Sequence, residues 1–274
     1  MPADPDNATV TAREDLAPGL AIVRVAYKHD PVPDFIPGQF TTLALPDLTP
    51  PDPNKPARRP GRGPKLIRRA YSIASSPITK DHVEFFIVEV EDGKLTPSLF
   101  DLHPGDDLFM DPRMKGHFTL DGVPPHQTLV MVATGTGLAP YLSMYRTFKD
   151  QPPNQRPWKH LVLLHGSRLA QDLGYREELE AAAAQDPHLT YLATTTREPD
   201  GSPWQGLRGR VTQHLQPDTF QQLTGQPLDP KTCHVFLCGN PAMIDQAETE
   251  LTPLGFSTKT PKNPTGNLHF ERYW

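Results

Sequence analysis

Glycine, hydroxyl and arginine side chains collect where apolar runs end in the second half of the chain. The clearest case is ATGTGLAP, residues 133–140, which continues the apolar run TLVMVAT. A strand that passes through Gly135 and Gly137 into a helix presents backbone N–H groups and the helix dipole to a phosphate. The segment therefore favours nucleotide binding. Because Pro140 stands where a dinucleotide fingerprint has its third glycine, an ordinary glycine turn opening a helix is an equal alternative.

Three further apolar runs end in HGSR, TTTRE and LCGNP. Arg168 and Arg197 follow two of these runs, and Arg210 comes shortly after them. Ligands bind at the carboxyl ends of parallel strands, and arginine grips phosphate through a bidentate fork, whereas an NAD site typically carries an acid. The three arginines therefore favour NADP(H). The alternative is that they are surface arginines paired with Glu177, Glu178 or Glu198.

Two segments combine aromatic rings with charged groups. In RAYS, residues 69–72, a phosphate-binding guanidinium, an aromatic ring and a hydroxyl occur within four positions of a strand-like run. Strand alternation places Arg69 and Tyr71 on one side. The last residues are HFERYW, whose large rings need a surface to lie against. The alternative there is a strand tucked into a core, anchored by Leu268 and Phe270.

The elements that position these groups fall into two sets. From residue 8 to about 120, short runs rich in Val, Ile, Phe and Tyr are separated by Gly and Pro, which is typical of an antiparallel barrel or sandwich. Beyond residue 123, continuous apolar runs alternate with helical patterns, which predicts a parallel sheet covered on both faces. We expect two domains, 1–123 and 124–274.

Composition limits the possible functions. The 274 residues carry a net charge of -5, which gives no general attraction to nucleic acid or anionic membranes. The two cysteines cannot supply four ligands to a metal or iron–sulfur centre, so no metal is expected. Without a basic-then-apolar leader or an 18-residue apolar window, a cytoplasmic protein is expected, and we expect a monomer.

The motif series resembles the ferredoxin/flavodoxin–NADP(H) reductase family, and most closely its bacterial subgroup. From about residue 35 onward the motifs keep one order: GQF, RAYSIASSP, VEVEDGKLTPSL, PGDDL, GHFTL, ATGTGLAPYLS, HGSR, TTTRE, GRV, CGNP and ERYW. Each is common alone, but the series is highly specific. The resemblance implies an FAD-binding antiparallel β-barrel followed by an NADP(H)-binding α/β domain, with hydride moving between the two cofactors.

The resemblance also implies roles for single residues. Arg69 would hold the FAD pyrophosphate, Tyr71 would stack on one face of the flavin and Tyr273 on the other, and Trp274 would lie against the adenine. Ser72, Cys238 and Glu271 would tune flavin N5 and supply a proton, and with Tyr273 they form the expected catalytic set. For Cys238, a small buried apolar residue is the alternative. The remaining FAD contacts are Ala70, Val88, Glu89, Val90, Lys94, Leu95, Thr96 and Thr136.

The expected NADP(H) contacts continue the strand-end pattern. Phosphate groups would be held by Ser167, Arg168, Thr196, Arg197 and Arg210, while Cys238 would flank the nicotinamide. Backbone at the two glycine turns completes the set, with Gly135, Gly137, Gly239, Asn240 and Pro241.

One segment departs from the family pattern. Residues 48–66 look like a Pro-rich and basic insertion in a barrel loop, with seven Lys or Arg and no acid from Lys55 to Arg69. Such a loop is either simply solvated or attracts an acidic ferredoxin or flavodoxin, the expected partners. The basic side chains are Lys55, Arg58, Arg59, Arg62 and Lys65.

Two other functions stay open. The chain could be the reductase component of an oxygenase that uses a separate ferredoxin, because two cysteines cannot hold a fused iron–sulfur cluster. It could also be a non-catalytic flavoprotein subunit that relays electrons. The three arginines and CGNP argue against the relay, since a relay needs no NADP(H) pocket.

Overall fold

The structure, a computed structural model, describes residues 6–48 and 65–273. Twelve strands in this part of the chain form two six-stranded sheets, one antiparallel and one parallel. The two-part architecture predicted from the sequence is confirmed, whereas the domain boundary at residue 123 stays a prediction. The loop residues Lys55, Arg58, Arg59 and Arg62 and the last residue, Trp274, lie outside the described residues.

The first sheet, called the barrel below, has the strand order β4-β3-β6-β1-β2-β5. Its two edge strands approach each other beyond the end of β4, where Ala74 N donates to Glu84 O at 2.8 Å and Ile73 pairs with Phe85. The sheet therefore curls toward a closed barrel, whose interior is filled by apolar side chains such as Val25 and Met110. The strands are β1 (Ala8–Ala17), β2 (Leu20–Tyr27), β3 (Phe40–Pro46), β4 (Leu66–Ser72), β5 (Val83–Val88) and β6 (Asp107–Met110), and helix α1 (Thr96–Phe100) follows β5.

Strand β1 was not singled out from the sequence. Half of its ten residues, ATVTAREDLA, are polar, and only Ala8 and Val10 are buried. The strand exists because β1 and β2 pair along their whole length as a hairpin from Ala8–Tyr27 to Ala17–Leu20. Partner strands satisfy its backbone, so a strongly apolar face is not required.

The second sheet has the order β10-β9-β8-β7-β11-β12, and all its pairs are parallel. The strand order changes direction between β7 and β11, and in such sheets ligands bind beyond the carboxyl ends at that point. The strands are β7 (Thr128–Thr134), β8 (His160–Ser167), β9 (Leu189–Thr195), β10 (Leu207–Arg208), β11 (Cys233–Gly239) and β12 (Leu268–Arg272). The helices are α2 (Ala139–Phe148), α3 (Arg176–Gln185), α4 (Pro217–Thr224) and α5 (Pro241–Leu251).

Alternate residues of β11 face two cores, as expected for a strand covered on both sides. Val235 and Leu237 pack with Ile244 of α5, whereas Phe236 and Cys238 face a core that also contains barrel residues. Phe118 illustrates the second core, since its ring meets the Phe236 ring edge-on at 5.6 Å. The barrel and the parallel sheet are thus joined by a shared apolar interior.

Two features are not found in the described ranges. No helix there combines the length and hydrophobicity needed to cross a membrane. Those same ranges contain no cluster of three His, Cys, Asp or Glu side chains placed to bind a metal ion.

Candidate active site

The glycine turn after β7 is built around a proline. Residues Gly135–Leu138 form a single 3₁₀ turn before α2 begins, whereas the sequence predicted a helix directly from the glycines. Pro140 has no N–H to donate to the Thr136 carbonyl, so that oxygen accepts from Ala139 N instead. It also accepts a hydrogen bond from Tyr273 OH at 3.3 Å. The proline that broke the dinucleotide fingerprint therefore leaves a carbonyl available to Tyr273.

The ends of β7 and β11 approach so closely that only glycine fits between them. A Cβ on Gly137 would lie 2.3 Å from the Cys238 carbonyl oxygen, and one on Gly239 would lie 2.4 Å from Thr134 Oγ1. Thr134 Oγ1 also accepts from Asn240 N at 2.9 Å. By contrast, a Cβ on Gly135 would meet no atom within 4 Å. The turn is closed on one side and open on the other, as binding of a flat ligand requires.

We expect Gly137→Ala to damage this junction far more than Gly135→Ala. The Gly137 methyl group would push backbone against backbone, with a cost of several kcal/mol, about 3 or more. Gly135→Ala meets open space and carries only the strain of its φ of +53°, about 1 kcal/mol. Urea unfolding of both variants measures the difference, and equal destabilisation would contradict the close approach.

The structure brings together the four side chains expected to be catalytic. Ser72 Oγ donates to Glu271 Oε2 at 3.1 Å, a contact between β4 of the barrel and β12 of the parallel sheet. Glu271 lies opposite Cys238 in the β11–β12 register. The Tyr273 side chain is within hydrogen-bonding reach of Ser72 and Cys238. Residues 199 positions apart thus meet at one point.

Burial controls protonation in this cluster. It raises the pKa of Glu271 above its ordinary value, although the hydrogen bond from Ser72 acts in the opposite direction. Burial likewise raises the pKa of the Cys238 thiol and of the Tyr273 hydroxyl well above their ordinary values. The cysteine and tyrosine therefore keep their protons at neutral pH, and Glu271 holds a proton more readily than an exposed glutamate does.

The expected FAD contacts lie along β4 and around the turn after β5. The Arg69 side chain is exposed and donates within the described residues only to the Arg68 carbonyl. Tyr71 is half-buried, with its ring edge-on to Phe85 at 6.4 Å. In the following turn, the Thr96 hydroxyl accepts from Val90 N at 3.0 Å. The structure also places Ala70, Val88, Glu89, Lys94 and Leu95 on these two segments.

The expected NADP(H) contacts line neighbouring strand ends. Arg197 N donates to Arg168 O at 2.9 Å, so the ends of β8 and β9 lie side by side, and Arg210 follows β10. All three arginines are exposed. Within residues 6–48 and 65–273, none of the three guanidinium groups forms an ion pair. Glu178 pairs with Arg146 and Glu198 accepts from Ala170 N, so the alternative that these arginines pair with nearby acids is wrong. Ser167, Thr196, Gly239, Asn240 and Pro241 lie at the same edge of the sheet.

Residues after β11 show why that strand ends there. Asn240 caps α5 by accepting from Ala242 N at 2.8 Å, and Pro241 is the first residue of the helix, where a missing N–H costs nothing. The φ of Gly239 is +125°, which a residue with a side chain rarely adopts. The CGNP motif is therefore a strand end, a turn and a helix start in four residues.

Sequence reasoning missed His165, which supports the glycine turn from β8. The ring is fully buried; its Nε2 lies 3.1 Å from Gly135 O and its Nδ1 lies 3.3 Å from Tyr191 OH. Burial lowers the pKa of His165 to about 4. The neutral ring then donates from Nε2 to the Gly135 carbonyl and accepts from Tyr191. A histidine inside the apolar run HLVLLHGS was the available signal.

We expect His165 to make folding stability depend on pH. Because its folded pKa lies below the unfolded value, the unfolded chain binds more protons between pH 6.5 and 4, so stability falls as pH falls through that window. From pH 7 to pH 5 the loss from this residue is about 2 kcal/mol. Urea midpoints of the wild type and His165→Gln at both pH values test this. An identical pH dependence in both proteins would contradict the assignment.

An antiparallel barrel joined to a parallel sheet, with glycine turns at the point where strand order reverses, defines a class of nucleotide-dependent oxidoreductases. Consistent with this class, the family described as Oxidoreductase NAD-binding domain matches residues 131–249. A solved ferredoxin NADP+ reductase from Neisseria gonorrhoeae, described with bound FAD and NADP, has the same fold. Its TM-score is 0.79 at 23% identity, with 97% of this chain and 98% of that chain covered.

Two curated relatives narrow the class. The flavodoxin/ferredoxin–NADP reductase of Shigella flexneri is 35% identical over 249 residues, with 90% of each chain covered. The ferredoxin–NADP reductase B of Sorangium cellulosum is 33% identical over 273 residues, with 99% of this chain and 98% of the relative covered. The chain belongs to the flavodoxin/ferredoxin–NADP reductase family.

Proposed function

We propose that the protein is an FAD-dependent ferredoxin (flavodoxin)–NADP+ reductase, which exchanges hydride between NADP(H) and FAD and single electrons with ferredoxin or flavodoxin. One observation carries the proposal. Ser72 of the barrel and Cys238, Glu271 and Tyr273 of the parallel sheet converge beside the point where the strand order of that sheet reverses. A site made by both halves suits a reaction between two cofactors.

The residues present fit a bound FAD. Arg69 offers an exposed guanidinium for a pyrophosphate, and Tyr71 offers a half-exposed ring for a flat flavin. Backbone of the turn from Val88 to Thr96 would contact the ribityl and phosphate groups. Trp274, outside the described residues, would pack on the adenine.

The residues at the carboxyl ends of the parallel strands fit a bound NADP(H). The open side of Gly135 leaves room for a ligand, and the exposed guanidinium groups of Arg168, Arg197 and Arg210 are suited to bind phosphate groups. The acid in the TTTRE strand end, Glu198, accepts a hydrogen bond from Ala170 N at 2.8 Å, whereas the three arginines stay exposed for phosphate. NADP(H) is therefore the nicotinamide cofactor that we propose.

In the mechanism, the bound flavin supplies two-electron chemistry toward nicotinamide and one-electron chemistry toward a protein partner. The protein controls geometry and protons. Tyr273 covers the flavin site, excludes water and must move when nicotinamide enters. Ser72 Oγ donates a hydrogen bond to Glu271 and would connect that carboxyl group to the flavin site. The raised pKa of Glu271 suits it to hold and return a proton. Cys238 would flank the nicotinamide ring as a protonated thiol.

Anaerobic titration of the FAD-loaded protein with NADPH and with NADH tests the function. Bleaching of the visible flavin bands by NADPH, with a much weaker response to NADH, is the expected result. If neither nucleotide bleaches the flavin, the result supports the alternative of a non-catalytic subunit that relays electrons. If NADPH bleaches it but neither ferredoxin nor flavodoxin reoxidises it, an oxygenase system with its own separate ferredoxin becomes the better function.

The partner would dock at the basic loop. The segment from Lys55 to Arg69 is rich in positive charge, and charge complementarity to an acidic ferredoxin or flavodoxin raises the association rate. Lys65, at the described end of the loop, is 2.6 Å from Asp47, so part of its charge is already neutralised. A monomeric, cytoplasmic protein stays a prediction.

We expect Arg58→Ala/Arg59→Ala/Arg62→Ala to raise KM for ferredoxin or flavodoxin at low salt by on the order of tenfold. Ferricyanide reduction should be unaffected, because a small anion needs no docking surface. High salt should narrow the difference between variant and wild type. Equal changes with both acceptors would contradict docking through this loop.

A further inference from the structure

A buried carboxylate lies between the two halves of the protein and takes no part in the site described above. Glu84, on β5 of the barrel, has a side chain that is only 4% exposed. Its Oε2 accepts from Arg24 Nε of the same barrel at 2.8 Å. Its Oε1 accepts from Arg146 Nη1 at 2.7 Å and from Tyr175 OH at 3.0 Å. Arg146 lies on α2 and Tyr175 directly precedes α3, so Glu84 joins the halves.

Arg146 is held on all sides in this contact. In addition to Glu84, it binds both carboxylate oxygens of Glu178, at 2.9 and 2.5 Å, and its Nη1 reaches Ala74 O at 3.3 Å. Its guanidinium carbon lies 5.0 Å from the centre of the Tyr175 ring. A planar fork with this many partners has little freedom to shift, whereas a lysine could satisfy only part of the set.

Tyr175 is fixed just as firmly. Its φ of +61° is unusual for a residue with a side chain, and its ring meets Phe86 of the barrel edge-on at 5.4 Å. A Cβ on the preceding Gly174 would lie 2.5 Å from Phe86 Cζ. Backbone in this conformation persists only where the surroundings determine it, so this contact between the halves has one geometry.

Protonation agrees with a permanent ion pair. Burial alone would raise the pKa of Glu84, but hydrogen bonds from Arg146, Arg24 and Tyr175 outweigh burial and hold the pKa below its ordinary value. Burial raises the pKa of Tyr175 well above its ordinary value, so its hydroxyl remains a donor. The contact is therefore intact at neutral pH.

The contact is connected to both sides of the reaction site. Glu84 N donates to Ser75 Oγ at 3.0 Å, and Ser75 O accepts from Ser143 Oγ of α2 at 2.7 Å. Ser75 follows Ser72 by three residues, and α2 continues directly from the glycine turn Gly135–Leu138. The segment that carries Ser72 and the helix that carries the glycine turn are thus tied together by one network.

We propose that Glu84, Arg146 and Tyr175 are positioning residues that hold the flavin-binding barrel and the nicotinamide-binding sheet at the separation that hydride transfer requires. The inference rests on the proposed function. Hydride transfer needs reacting atoms roughly 3 to 3.5 Å apart, and a displacement of about 1 Å can slow a reaction by on the order of 100-fold. Buried ion pairs add little stability compared with apolar residues of the same volume, so geometry is the stronger reason for this one.

The test is single-turnover flavin reduction at saturating NADPH in Arg146→Lys, with Arg156→Lys as the matched control. Arg156 is even more enclosed, at 10% side-chain exposure against 19% for Arg146, but its bonds to Asp186, Gln151 O and Lys149 O stay within the parallel-sheet half. We expect Arg146→Lys to reduce flavin at least tenfold more slowly than wild type, with unchanged NADP+ affinity and flavin spectrum. Arg156→Lys should transfer hydride at the wild-type rate.

Reduction of the wild type by NADPH establishes the NADPH-to-FAD step of the proposed function, on which the inference rests, so failure of the inference can be read separately. A wild-type rate in Arg146→Lys, or equal slowing in Arg156→Lys, would overturn the positioning role. If Arg146→Lys does not fold, Tyr175→Phe decides, because it removes only the hydroxyl bond to Glu84. Slower hydride transfer with unchanged NADP+ affinity in that variant supports the proposal, and an unchanged rate overturns it.

Discussion

Tyr273→Ser combined with deletion of Trp274 should bind the nicotinamide ring more tightly and turn over more slowly. In the proposed mechanism Tyr273 would cover the surface on which nicotinamide stacks, so removing its ring would remove a competitor. Stacking and burial of an aromatic ring are worth about 2 to 3 kcal/mol, so NADP+ affinity should rise by on the order of 100-fold. Turnover should fall because release of nicotinamide becomes slow. Binding titration and steady-state rates measure both changes.

Two variants identify the cause of that effect. Tyr273→Phe keeps the ring and loses the hydroxyl that donates to Thr136 O, so it should show only a small part of the change. Arg272→Ala alters the neighbouring exposed residue, which pairs with Asp245, and serves as the control. Unchanged NADP+ affinity and turnover in the doubly altered protein would mean that Tyr273 does not gate the site.

Arg197→Ala/Arg210→Ala should abolish the preference for NADPH over NADH. Each lost charge-assisted bond to phosphate costs about 2 kcal/mol, so kcat/KM for NADPH should fall by on the order of 1,000-fold. The phosphate concerned is the 2′-phosphate of NADPH, which NADH lacks, so kcat/KM for NADH should change little. Initial rates with both nucleotides and ferricyanide as acceptor give the comparison.

Arg208 provides the matched control for this pair. It is exposed and close in sequence, but its guanidinium already donates to Glu198 O, Pro199 O and Ser202 Oγ. Arg208→Ala should therefore leave the ratio of NADPH to NADH efficiency unchanged. A loss of the same size for both nucleotides in Arg197→Ala/Arg210→Ala would contradict phosphate recognition.

Much of the fold was predictable because its signals are local. Runs rich in Val and Leu marked β7, β8, β9 and β11, and glycine marked the carboxyl ends of β7, β8 and β11. β1 was not recognised, because it has few buried side chains and is defined mainly by its hydrogen bonds to β2 and β6. Helix α4 lay in a stretch with few apolar residues, where only Phe220 is buried.

Part of the candidate site was also predictable from the sequence, and part was not. Ser72, Cys238, Glu271 and Tyr273 were named from the resemblance, and the structure adds the 3.1 Å hydrogen bond from Ser72 to Glu271 and the contacts of Tyr273 with Ser72 and Cys238. The contact between Glu84 and Arg146 could not be read from the sequence, because 62 positions separate the residues and neither belongs to a motif. A glutamate inside the apolar run HVEFFIVEVE is a signal only when its partners are known.

The central claim is that hydride passes from NADPH to FAD at the cluster of Ser72, Cys238, Glu271 and Tyr273. Anaerobic stopped-flow mixing of the FAD-loaded protein with saturating NADPH, unlabelled or deuterated at both C4 positions, tests it most directly. The account predicts rapid flavin bleaching that is slower with deuterated NADPH, and slower still in Ser72→Ala. A flavin that NADPH does not reduce, or reduces at the same rate in Ser72→Ala as in wild type, would contradict it.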